Sequence, residues 1–180
     1  MLRLFVAIEL PESIRERLAL LCGGVPGARW LSPETMHLTL RFIGEVQEAA
    51  LGDIDAALAG IHAPGFDIVL DGIGSFGNAD RPRAIWAGVA RDPALEHLHG
   101  KIESALVRVG LPPEGRKFTP HVTLGRVKAA KPARVGEFVA AHNPFQAGPF
   151  KALGFTLFSS FLSHSGAIHT PEAVYRLESD

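Results

Sequence analysis

The chain has 180 residues, with eighteen Lys and Arg against nineteen Asp and Glu, a formal net charge of −1. Apolar residues make up 47% and charged residues 21%, which excludes a disordered segment, and near-neutrality excludes a global field that would draw in nucleic acid or anionic lipid. A single cysteine, Cys22, excludes an intrachain disulfide and points to a reducing cytoplasm.

The first predicted element is a buried strand over Leu2–Ile8. Its apolar run of about seven residues ends at Glu9 and Pro11, too short for a signal peptide or a membrane span. An amphipathic helix over Glu12–Leu21 follows, with Ile14, Leu18 and Leu21 on one face. A loop with Pro and Gly leads to HLTLRFIGEV, a strand opening at His37, then to a helix over Gln47–Ala59 and a strand over Phe66–Phe76. GNADRP reads as a hairpin turn into the next strand, Arg83–Ala90.

From there the order recurs. A helix over Ala94–Val109 carries Leu95, Leu98, Ile102, Ala105 and Leu106 on one face, and the loop GLPPEGRKFTP leads to HVTLGRV, a strand opening at His121. A helix over Ala133–His142 and an apolar run from Phe150, FKALGFTLF, follow. The tail from Phe161 to Asp180 reads as a long polar connection with a last strand over Val174–Leu177. His37 and His121 are 84 residues apart, as are Phe66 and Phe150. This pattern predicts an α+β fold with largely antiparallel sheets, duplicated and two-lobed.

Eight His are many for this length. By strand parity His37 and Thr39 share one face while Leu38 and Leu40 anchor the other; His121 and Thr123 stand likewise over Val122 and Leu124. A hydroxyl that can donate to a phosphoryl oxygen beside an imidazole that can move a proton suits phosphate chemistry. H-x-T-L would occur roughly 0.03 times by chance in this composition, so two copies signal function rather than packing alone. Positive charge gathers nearby: from Lys101 to Lys131 seven basic residues stand against Glu103 and Glu114, a local net of +5.

RLFVAIELP, MHLTLRFIGEV, GSFGNADRPRAIWAGV and FTPHVTLGRV together resemble the two-histidine phosphoesterases. Within them they resemble the bacterial and archaeal RNA 2′,3′-cyclic phosphodiesterases, also named 2′-5′ RNA ligases. The tail departs, because SHSGAIHTPEA lacks the compact Ser-Gly-Tyr pattern expected there. The resemblance implies one domain over residues 1–180, made of two intertwined, pseudo-twofold lobes with one H-x-T-x motif each facing a central cleft. It implies His37 as proton donor, His121 as proton acceptor, and Thr39 and Thr123 as phosphate-holding hydroxyls.

The implied reaction is metal-independent and cofactor-independent hydrolysis of an RNA 2′,3′-cyclic phosphate end to a 2′-phosphomonoester, by a monomer that touches no membrane. Reversible 2′-5′ joining of RNA, opening of a small cyclic nucleotide, and a non-catalytic RNA-end-binding module are the competing readings. Arg126 resembles a family arginine at the phosphate, although alternation points it to the back face unless a bulge intervenes. Arg41 is a second candidate, on the His37 face by parity. Phe76, Arg81 and Arg83 resemble positions near the cleft, and from pattern alone read as a hairpin turn. His97 and His99 do not share a helix face and have no partner at metal-ligand spacing. His62, His142, His164 and His169 read as solvated groups at helix ends or in loops; Trp30 and Trp86 could stack a base, although a core role is the more common one.

Overall fold

Leu4, Val6 and Ile8 are buried on one face of the first strand, as its alternation demands, and the other strands follow the same logic. A computed structural model describes residues 1–179. In chain order the elements are β1 (Leu2–Glu9), α1 (Glu12–Leu21), β2 (Arg29–Trp30), β3 (His37–Val46), α2 (Leu51–Ala59), β4 (Phe66–Asn78) and β5 (Arg81–Val89). Then come α3 (Pro93–Arg108), β6 (His121–Arg126), α4 (Pro132–Ala141), β7 (Gln146–Ala152), β8 (Gly154–Ser163) and β9 (Gly166–Arg176). The strands form one sheet in the order β7-β4-β5-β6-β3-β1-β8-β9, with the short β2 against β6, and the strand pairs are antiparallel.

The connectivity divides the sheet. β4 to β7 come from one continuous stretch of chain, whereas β1, β3, β8 and β9 come from its two ends. The two sets meet between β3 and β6 through one residue pair, Leu38 opposite Val122. Both side chains are fully buried on the helical side of the sheet. There they join Ile14 and Leu18 of α1, Ile54 and Leu58 of α2, Leu95, Leu98, Ile102 and Leu106 of α3, and Val135 and Phe138 of α4. Each such side chain contributes about 1.5–3 kcal/mol on burial, so a one-residue slip that exchanged faces would cost several of them at once. That burial locks the alternate residues, His37, Thr39, His121 and Thr123, onto the helix-free face.

Helix starts follow local chemistry where the sequence supplies it. Asp92 caps α3, its side chain accepting from the amides of Ala94 and Leu95 at 2.7 and 3.4 Å, with Pro93 as the first helical residue. The expected helix over Gln47–Ala59 instead begins as a 3-10 turn, Glu48–Ala50, before α2. Two other expectations are corrected. FKALGFTLF is split at Leu153, because its first part pairs with β4 and its second with β1 on the far side of the sheet. The tail is a long hairpin of β8 and β9 that turns at His164 and Ser165; Asp180 lies outside the described residues. β9 is an edge strand, where Pro171 needs no ladder partner for its nitrogen, so its composition imitates a loop.

Candidate active site

Because Leu38 lies opposite Val122, antiparallel pairing sets His37 beside Thr123 and Thr39 beside His121. The four side chains form a quadrilateral whose diagonals join histidine to histidine and threonine to threonine. Directly opposed residues stand about 5 Å apart and diagonal ones roughly 7–8 Å, room for one tetrahedral phosphate between the imidazoles.

The backbone orients the His121 ring: its Nδ1 lies 2.7 Å from the carbonyl oxygen of Thr119, two residues upstream. A carbonyl accepts only, so the nitrogen facing it carries the proton, and in His121 this leaves Nε2 as the free nitrogen. Both pKa values lie below the ordinary 6.5. Burial pushes His37 down to about 4, helped by the charges of His169 and His121 and opposed by the Thr35 carbonyl. Burial also lowers His121, against the Thr119 carbonyl, with the charge of Arg126 adding to the fall.

Aromatic rings wall the two imidazoles differently. His37 stacks on Phe5 at 4.9 Å between centroids, and Phe5 stacks on Phe158 at 5.2 Å. Phe5, Ala7 and Phe158 form a small buried apolar cluster on this face, separate from the main core. Across the junction, Phe76 meets His121 edge-on at 4.6 Å, and Trp86 lies 6.5 Å from it. Gly74 and Gly88 let Trp86 lie flat: a Cβ on Gly74 would run into the indole and one on Gly88 would stand 3.1 Å from it.

The two arginine candidates are separated by one feature that occurs twice. Opposite β5, Ile85 pairs with Gly125 but Trp86 with Thr123, so β6 carries an extra residue at Leu124. That bulge reverses the alternation and brings Arg126, exposed and paired with Ala84, onto the His121 face. A Cβ on Gly125 would stand 2.8 Å from the Trp30 ring, so this position suits glycine. Opposite β1, Val6 pairs with Arg41 and Ala7 with Thr39, an equivalent bulge at Leu40.

Here the reversal turns Arg41 into the core side, which corrects the parity expectation. Arg41 is 6% exposed, its Nε 2.7 Å from Glu103 Oε2, and it donates to the carbonyls of Phe42 and Pro112 at 2.6 Å each. Phe42 takes the position on the open face that Arg126 has in the other half. Two groups beside His37 escaped the sequence reading. His169 of β9 stands edge-on to His37 at 5.1 Å and to Phe5 at 4.9 Å, rather than in a solvated loop. Phe5 did carry a signal, an aromatic residue on the face of β1 opposite Leu4, Val6 and Ile8.

Comparison with known proteins decides the family. The family model described as LigT-like phosphoesterase matches residues 8–86 and again 89–169, one copy around each H-x-T-L segment. The chain belongs to the LigT-like phosphoesterase family. An Archaeoglobus fulgidus protein named RNA 2′,3′-cyclic phosphodiesterase is 33% identical over 177 residues, covering 97% of this chain and 99% of its own. A crystal structure of a Thermus thermophilus protein superposes with a TM-score of 0.84 at 26% identity, covering 99% of both chains. Escherichia coli LigT in complex with 3′-AMP superposes with a TM-score of 0.77 at 27% identity, covering 98% of both.

In this LigT-like phosphoesterase the remaining candidates have structural roles or lie at the rim. His99 stacks on Phe118 at 3.9 Å, and Trp30 packs on Phe138 at 5.3 Å. Arg81 and Arg83 line a groove of about 780 Å³ with Lys128, beyond the end of β6. Among the described residues no three His, Cys, Asp or Glu side chains gather as a metal-binding group, and no helix is long and apolar enough to cross a membrane.

Proposed function

We propose that this chain opens 2′,3′-cyclic phosphate ends of RNA to 2′-phosphomonoesters, with His37 as general acid, His121 as general base, and Thr39, Thr123 and Arg126 as phosphate ligands. The observation that carries the reading is the quadrilateral of two imidazoles and two hydroxyls about the Leu38–Val122 pair. The names of the family relatives support the choice of substrate.

The cyclic phosphate sits between the rings with its non-bridging oxygens on the two threonine hydroxyls. His121 takes a proton from a water as the water oxygen bonds to phosphorus. The bond from phosphorus to the ribose 3′-oxygen breaks on the opposite side, and His37 delivers its proton to that oxygen, leaving a 3′-hydroxyl and a 2′-phosphate. Solvent then takes the extra proton from His121 and returns one to His37. Diagonal imidazoles suit this in-line displacement, because attack and departure occur on opposite faces of phosphorus. The hydroxyls and the Arg126 guanidinium stabilise the charge that moves onto the non-bridging oxygens. A phosphate anion between the rings favours the charged form of each imidazole, which lifts His37 from about 4 towards the working pH.

The test is an RNA with a 2′,3′-cyclic end incubated in excess chelator, with the product identified by which hydroxyl keeps the phosphate. Opening to the 2′-phosphate, lost in both His37→Ala and His121→Ala, is the expected result. No opening in chelator, or activity kept by both variants, overturns the reading.

A further inference from the structure

We infer that the groove beyond the end of β6 holds the backbone phosphates of the RNA strand leading to the cyclic end, so that the substrate is an oligonucleotide rather than a free cyclic nucleotide. The inference rests on the functional reading above and adds the direction in which the strand leaves the site.

The quadrilateral is close to twofold symmetric, so by itself it does not distinguish the two sides. The surroundings do. At the end of β6, Arg126 pairs across the sheet with Arg29, and the adjoining groove of about 780 Å³ is lined by Arg81, Arg83 and Lys128, with Asp80 as its one carboxylate. All five basic side chains are exposed, and among the described residues none has an ion-pair partner. Unpaired cations in one concavity form an electrostatic footprint for a polyanion.

The opposite side is different. There the position equivalent to Arg126 holds Phe42, 54% exposed. Arg3 is the one free cation there among the described residues, with Glu45 opposite it in the strand register; Arg41 is bound to Glu103, and Glu9 lies opposite His37. A strand carrying one negative charge per nucleotide meets five clustered cations on the first side, and on the second a single one with Glu45 and Glu9 nearby.

The separation also fits. Lys128 follows Thr123 by five residues, at most about 16 Å along an extended chain. At roughly 3.4 Å per stacked nucleotide the groove lies within about five nucleotides of the cyclic end. The +5 stretch from Lys101 to Lys131 therefore does not act as one patch: Lys101 and Arg108 line a different cavity, between α2 and α3, and only its end reaches this groove.

The test uses the triple variant Arg81→Ser, Arg83→Ser, Lys128→Ser and two measurements. In the first, kcat/KM is measured on a 2′,3′-cyclic mononucleotide and on cyclic-ended oligoribonucleotides of two to eight residues. The native protein gains with length up to about five nucleotides. The variant loses that gain but opens the mononucleotide within twofold of native, which also shows that it is folded.

In the second, anisotropy follows binding of an octamer ending in a 2′-phosphate as salt is varied. Three lost contacts make the log–log salt slope shallower by about 2, and affinity near 0.1 M salt falls by tenfold to about a hundredfold. Equal slopes and affinities in the two proteins, or displacement of the octamer by poly-glutamate as readily as by RNA, overturn the inference. If the native protein opens none of the substrates, the functional reading fails while the binding arm still decides the groove.

Discussion

His37 makes the fold sensitive to acid, and the size of the effect follows from its surroundings. Its pKa is about 4 in the folded chain against 6.5 for the ordinary group. Between those values the unfolded chain binds more protons than the folded one, so stability present above pH 6.5 is lost as pH falls through 4. At about 1.4 kcal/mol per pH unit the loss from this one side chain is about 3 kcal/mol, a large part of the stability of a domain this size. His37→Phe removes the titration and keeps a flat ring on Phe5, with which His37 stacks at 4.9 Å. Urea unfolding of both proteins at pH 7.5 and pH 4 measures the difference. With a slope of about 2 kcal/mol per molar, the native midpoint falls by about 1.5 M more than that of the variant. His121 and His169, also lowered by burial, titrate in both proteins, and losing their repulsion from a charged His37 adds to the difference in the same direction. Parallel falls, equal to within about 0.3 M, would refute the reasoning.

Arg41 is expected to behave as a structural residue: Arg41→Met leaves the half-buried Glu103 with only the Glu114 amide as partner and destabilises the chain by about 1.5–3 kcal/mol in urea or thermal unfolding. The double variant Arg41→Met, Glu103→Leu recovers most of that loss, and neither change alters KM at a temperature where the protein is folded. In the pH dependence of kcat/KM the active form carries one proton shared between the two histidines, so the limbs report both pKa values of the free protein. The acid limb is expected near 4 and the alkaline limb below 6.5. Arg126→Ala moves the alkaline limb upward, because the guanidinium is one cause of the lowered His121 pKa, and it reduces kcat/KM by about tenfold to a hundredfold. An alkaline limb that Arg126→Ala leaves in place contradicts the proposed contact.

Most of the element order was legible because it follows from short-range rules. The helix over Glu12–Leu21 starts after a proline and keeps its apolar face, and the structure has the same limits. The motif strands were legible for the same reason, since Leu38 and Val122 fix which way His37 and His121 point. Failures came where the answer depends on a partner strand distant in sequence. Parity counted Arg41 onto the open face because a bulge is a relation between two strands, visible only once β1 stands beside β3. His169 was hidden because β9 reads as a strand only when laid along β8. Arg126 shows the same physics from the other side: a bulge was required to bring it to His121, and the register of β5 against β6 contains one.

The two histidines proposed as acid and base have different surroundings at a nearly symmetric centre. The backbone two residues upstream, at Thr35 and at Thr119, raises the pKa of each ring, so it does not distinguish them. Burial does, and so does charge. His37, stacked on Phe5 with His169 at its edge, has the more strongly depressed pKa, and an imidazolium of low pKa gives up its proton more readily to a departing alkoxide. Such a group is useful only if it is protonated when the substrate is bound, and the substrate itself is an anion lying against it. Arg126, beside His121, opposes protonation of that ring and so favours the neutral form that a base needs. The bulge that carries Arg126 to one histidine and its twin that withdraws Arg41 from the other make the two ends of a duplicated pair of strands electrostatically different. The proposed roles need the bound anion to move the proton onto His37, whose pKa is the more depressed in the free protein.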